Sequence, residues 1–155
     1  MKSYDIRNIS NWYINRTKDS LDGNHGLGSL NNFLIVLRYY SIKELGYSLY
    51  GEPLHVHNNL PVVDKIILFY EDQARYLKDC IDCDDESLID RDVEFLEKIY
   101  LKVSKIRPLK IKDLFSSEIT PWYNKDSIKK TIIDDDVFVK FCDDNLIHLI
   151  DKSIN

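Results

Sequence analysis

The chain has 155 residues, 44% hydrophobic and 30% charged, enough for a single domain with a real core and ordinary for a soluble globular protein. Its net charge is −5 with no basic tail and no Lys/Arg-rich block, which disfavours sequence-independent nucleic-acid binding, since that draws its strength from neutralised phosphates. No apolar run approaches the ~18 residues of a membrane span, the opening MKSYDIRNIS has no secretory core, and three cysteines make an odd set, so a reduced, cytoplasmic chain with free thiols is expected.

Residues Tyr4–Thr17 read as a first helix, with Ile6, Ile9, Tyr13 and Arg16 on one face, Trp12 beside it and Asp5 in the first turn, where a carboxylate suits the helix dipole. Lys18–Gly28 is a glycine-rich loop whose spacing matches neither a Walker loop nor a dinucleotide fingerprint. Ser29–Leu54 is the central feature. Leu30, Phe33, Leu34, Leu37, Ser41, Leu45 and Leu49 recur at helical steps, and Ile35, Tyr39 and Ile42 fill the opposite face. A helix apolar on most sides belongs in the middle of a domain. Ser29 is the expected N-cap, and Gly51-Glu52-Pro53 the expected stop.

Leu54–Asn59 alternates with period two and predicts a short strand or hairpin arm. Pro61 is expected to open another helix, with Val63, Ile66, Ile67, Tyr70, Ala74 and Leu77 as its buried stripe, and Asp79–Glu86 to form an acidic loop. Leu88, Ile89, Val93, Leu96, Tyr100 and Val103 mark an amphipathic helix ended by Pro108. Leu109–Ser117 reads as a short helix anchored by Leu109, Ile111, Leu114 and Phe115, and Thr120-Pro121-Trp122 as a turn. Thr131–Ile133 is extended; Asp134–Asp136 cap a last helix whose core face holds Val137, Phe138, Phe141, Leu146, Leu149 and Ile150. The pattern predicts a mainly α domain of about six helices around a buried central one, with a short β hairpin or extended segment near 54–60 and 131–133.

No catalytic framework assembles from spacing. Four histidines (His25, His55, His57, His148) lie in no nucleophile context such as G-x-S-x-G, so an enzyme is not expected. Cys80-x-x-Cys83 with His55-x-His57 has the donor types of a zinc site, but Asp84, Asp85 and Glu86 beside the second cysteine raise its thiol pKa. Loop thiols and unliganded histidines are the reading, with no metal or cofactor. The Asp134–Asp136 run is a helix N-terminus rather than a cation site. From Asp79 to Glu97 nine carboxylates stand against Arg91 alone, a pattern that suits either a solvated face or a basic partner.

The order of these signals resembles the Panacea domain, an antitoxin domain of toxin–antitoxin pairs. Leu34, Leu37, Tyr39, Tyr40, Ser41, Leu49, Gly51, Pro53 and Leu54 fall on its central motif, with one extra residue between Tyr40 and Leu49. Leu60-Pro61-Val62-Val63 resembles the second half of its next segment, Leu109–Leu114 with Pro121-Trp122 a later one, and Ile133-Asp134 its close. The likeness runs from about Asp5 to Phe141. The family's polar positions in the central helix are here Ile35 and Val36, its Ala-Trp is missing, and its glycine before Pro-Val is Leu60. The resemblance implies an antitoxin-like protein of a phage or mobile element that neutralises a toxin by direct stoichiometric binding. The alternative is a phage-encoded acidic inhibitor of a host defence nuclease, acting by protein binding or nucleic-acid mimicry. Asp84, Asp85, Glu86 and Asp90 are the expected partner-facing residues; Tyr47 and Trp122 are aromatic anchors or core residues. The expected partner is a protein, toxin or host defence protein; no membrane is expected, nucleic acid is disfavoured, and a homo-oligomer is left open.

Overall fold

The computed structural model describes residues 3–17, 26–66, 88–124 and 131–154, and the side chains up to 152. Within them five helices and one hairpin follow in order: α1 (Ile6–Thr17), α2 (Leu27–Leu45), β1 (His55–His57), β2 (Leu60–Val62), α3 (Asp90–Ser104), α4 (Pro108–Phe115) and α5 (Asp135–Ile154). The fold is mainly α with a small antiparallel hairpin, as the periodicity predicts.

Helix α2 is the axis of the molecule. Every residue from Leu30 to Ser41 is buried, and α3, α4, α5 and β2 all pack against it. Two aromatic groups fill the space on its flanks. Trp12 and Tyr13 of α1 lie 5.9 and 5.0 Å from the Phe33 ring, and Tyr100 of α3 closes on the same three rings. On the other side Phe115, Trp122, Phe138 and Phe141 join α4 to α5, with the Trp122 and Phe141 centroids 5.1 Å apart. Such tilted and offset ring pairs add to the area they bury.

The helix is shorter than its apolar pattern. It begins at Leu27 behind Gly26, placing Ser29 inside the first turn instead of at the cap, and no side chain caps it. It ends at Leu45, not near Gly51. Gly46 takes φ +86 and its N–H donates to the Ile42 carbonyl, a left-handed stop that a Cβ would oppose. The apolar residues beyond it, Leu49 and Tyr50, are fully buried in non-helical chain, with the Tyr4 N–H donating to the Leu49 carbonyl at 2.7 Å. Burial had the same signature as helical periodicity there.

The hairpin turns at Asn58-Asn59, both with positive φ (51 and 66), a two-residue turn matched to strand twist. Its register pairs His55 with Val62, Val56 with Pro61 and His57 with Leu60. Pro61 therefore sits in β2 rather than opening a helix. Opposite Val56 it occupies a non-hydrogen-bonded pair, where a missing N–H costs nothing. Residues 64–66 are helical; the rest of the expected stripe (Ile67, Tyr70, Ala74, Leu77) and the loop Asp79–Glu86 lie outside the described residues. The Val56 N–H donates to the Thr131 carbonyl and the Ile133 N–H to that of Leu54, so residues 131–133 form an extended segment against β1.

The helix termini follow local chemistry. Asp5 Oδ1 accepts the Arg7 amide at 2.8 Å, so it caps α1 from just outside it. Asp134 Oδ2 accepts the amides of Asp136 and Val137 and caps α5. Pro108 starts α4 after α3 has ended at Ser104. Two expected core anchors face outward: Leu109 is 63% and Val137 43% exposed.

Candidate interaction surfaces

Helix α3 carries opposite charge at its two ends. Its first two turns hold Asp90, Asp92, Glu94 and Glu97, with the exposed Arg91 between the first two, 3.7 Å from Asp92 Oδ1. Asp92 turns inward: only 1% exposed, its Oδ2 accepts the Tyr4 hydroxyl at 2.6 Å. Burial first, then this bond to a carboxylate, raise the Tyr4 pKa. Glu97 is neutralised by Arg16, with Nε at 2.9 Å, and that guanidinium also covers the Tyr100 ring. Asp90 and Glu94 remain exposed and pair with no cation among the described residues. The acidic run is thus a two-residue patch here, since two of its four described carboxylates bind the fold.

The other end is cationic. Lys105, Arg107, Lys110 and Lys112 are exposed on the α3–α4 corner, and none pairs with a described carboxylate. In the sequence they are spaced among apolar residues and do not form a block. Only the turn at Ser104–Arg107 and the start of α4 gather them. The signal that could have found them is the lack of any acid between Glu97 and Asp113.

Between these ends the polar interior is committed to holding the fold. Arg38, 6% exposed at the centre of α2, donates from Nε and Nη2 to the two Asp135 oxygens at 2.8 and 3.1 Å. Its Nη1 donates to the Glu52 carbonyl at 2.9 Å, and its charge lies over the Tyr50 ring. Glu52 Oε1 in turn accepts Lys65 Nζ, which also reaches Asp5. Burial pushes the Asp5 carboxyl up, but the Arg7 amide and guanidinium and Lys65 together hold it below the usual carboxylate range. Tyr39 Oη donates to Asp143 at 2.6 Å, and burial first, then that carboxylate, raise its pKa. The Cys142 thiol, fully buried, is pushed far up by the same desolvation.

The expected site residues fare unequally. Asp84, Asp85 and Glu86 lie outside the described residues, as do Cys80 and Cys83. Asp90 is exposed in the first turn of α3. Tyr47 is half-buried against the core just beyond Gly46. Trp122 is core: 3% exposed, its ring stacks on Phe115 and its Nε1–H donates to the Phe115 carbonyl at 2.8 Å. A ring so enclosed offers no area to a partner. His57 is exposed, and His55 sits with Nδ1 3.4 Å from Asp64 Oδ2. Among the described residues no group of three or more His, Cys, Asp or Glu side chains is placed to hold a metal ion, and no helix is long and apolar enough to cross a membrane.

No protein-family model, curated protein or solved structure matches this chain. The surfaces themselves therefore carry the functional reading.

Proposed function

We propose that this chain is a cytoplasmic, antitoxin-like binding protein that neutralises a partner protein by stoichiometric association, not an enzyme. The observation that carries the proposal is a pair of carboxylates that meet no cation among the described residues, Asp90 and Glu94, one helical turn apart on the exposed start of α3. Unpaired charge of one sign on a rigid helix steers a partner of opposite sign and speeds its docking. The resemblance to Panacea antitoxins supplies the class of partner, a toxin encoded next to this chain on a phage or mobile element.

The test is co-expression with the products of adjacent genes. One of them should arrest growth alone, be rescued by this protein and co-purify with it at fixed stoichiometry. The double variant Asp90→Lys/Glu94→Lys should weaken the complex ~10-fold or more, as reversed charges at an interface do, with an unchanged helical spectrum. If no neighbour binds and none is toxic without this protein, the antitoxin reading fails. The same carboxylate pair suits the nucleic-acid channel of a host defence nuclease, where it would stand in for phosphates. Rescue of phage growth against a nuclease, with no toxic neighbour, would select that target.

A further inference from the structure

The cationic corner adjoins a groove. Among the described residues, the start of α2, the hairpin and α4 bound an open depression of about 430 Å³ lined by Gly28, Asn32, Leu60, Pro108, Leu109 and Lys112. A second depression of about 280 Å³ shares Gly28, Leu60 and Lys112 and continues it across Leu27, Val62 and the hairpin turn. The groove is mostly apolar, with Asn31, Asn32 and His57 among its polar lining, Leu109 63% exposed at one wall and Lys112 common to both parts. Lys110, Arg107 and Lys105 lie within seven residues of Lys112, exposed and without a described acidic partner.

We infer that this groove docks a short acidic peptide segment of a partner protein, its apolar side chains in the Leu60–Leu109 cleft and its carboxylates on Lys105, Arg107, Lys110 and Lys112. Charge complementarity decides the occupant. Four exposed cations within eight residues, none paired with a described carboxylate, on a chain whose net charge is −5, favour an anionic ligand. Phosphates alone would leave the leucine walls wet, and the chain's overall charge would repel a long polyanion. A peptide with acids flanking one or two apolar residues satisfies both the walls and the rim. The uncapped first turn of α2 adds partial positive charge on the same side.

This surface is independent of the acidic start of α3. The two are separated by the length of that helix, ~20 Å at 1.5 Å per residue, so either can fail alone. The test pans a library of random twelve-residue peptides on the intact protein. Wild type should enrich sequences with two or more Asp or Glu around Leu, Ile or Phe, and Asp90→Lys/Glu94→Lys should leave that enrichment unchanged. Lys110→Glu/Lys112→Glu should abolish it, and Leu109→Ser, at an exposed position that cannot disturb the core, should weaken the selected peptide ~10-fold, the loss typical of one apolar anchor. Added salt should weaken the same peptide steadily. Enrichment without acidic residues, or binding that survives both Lys110→Glu/Lys112→Glu and Leu109→Ser, overturns the inference. So does tighter binding of a single-stranded oligonucleotide at the same residues. A dimer in sedimentation that these variants dissociate would replace the peptide by a second copy, and equally overturn it.

Discussion

Arg38 shows what one side chain can be asked to hold. The carboxylate of Asp135 at the start of α5 and the carbonyl of Glu52 beyond α2 both meet its guanidinium, whose planar fork reaches them in two directions at once. Its partner Asp135 is 46% exposed and can rehydrate, so the pair is worth less than one sealed from water. Arg38→Met should nonetheless cost about 2–3 kcal/mol, because the Glu52 carbonyl loses its donor and α5 its tie to α2. Urea unfolding reads this directly, and a loss under about 0.5 kcal/mol would mean the latch contributes nothing beyond packing. Arg38→Lys should recover only part, since an ammonium cannot bond both Asp135 oxygens and the carbonyl in this geometry. In the sequence Arg38 is one cation amid an apolar run. Its partners lie 97 and 14 residues away, so nothing local reveals its role.

Elements obey local rules at their ends more than in their middles. The stop of α2 is a case where two local signals compete, Gly46 and the Gly51-Glu52-Pro53 turn. Both glycines have open space where a Cβ would stand, but only Gly46 has positive φ. Gly46→Ala should therefore cost ~1 kcal/mol of backbone strain, whereas Gly51→Ala should change stability by less than ~0.5 kcal/mol. Equal effects in thermal melts of the two variants would refute this assignment of the helix end. The leucine at 49 and the tyrosine at 50 extend the apolar period past the stop because the non-helical chain there is itself buried. Period alone cannot separate a buried helix from a buried strand. The asparagine pair at 58–59 offers the converse lesson: two residues that tolerate positive φ turn the chain back into β2, and a proline after them fits a non-hydrogen-bonded strand position as well as a helix start.

At the scale of the whole molecule, packing seals phenols away from water around α2. Tyr50 is fully buried and donates to the Leu34 carbonyl at 2.7 Å, and desolvation, more than any other cause, raises its pKa along with those of Tyr4 and Tyr39. Burial, then Asp151 and Glu44, push Tyr40 up to about 12. Each of these folded values lies above the unfolded value near 10. The stabilisation they carry is therefore complete below pH ~10 and is lost as pH rises through the folded values. Of the ten tyrosines, these four should stay protonated while others ionise, then titrate together with loss of helical signal. Absorbance and circular dichroism followed through an alkaline titration would show it; phenolates appearing in a single step near pH 10 with helicity intact would contradict it.

The sequence by itself determined the class of the fold, the burial of α2, the first hairpin arm at 55–57, the capping of α5 by Asp134, and the extended segment at 131–133. These follow from period, turn residues and caps, which act over a few residues and need no distant partner. Only the tertiary structure decided which charges are free. Asp92 and Glu97 look like Asp90 and Glu94 along the chain, yet Tyr4 and Arg16, some 80 residues away, take the first two and leave the second two to solvent. The same holds for the cations. Helix α4 brings Lys112 to a groove whose other walls come from α2 and the hairpin, with Lys105, Arg107 and Lys110 close to it in sequence, and no local pattern encodes that meeting. Trp122, an anchor or a core residue by sequence, is core for the same reason: whether a ring is an anchor or a filler depends on what else arrives around it.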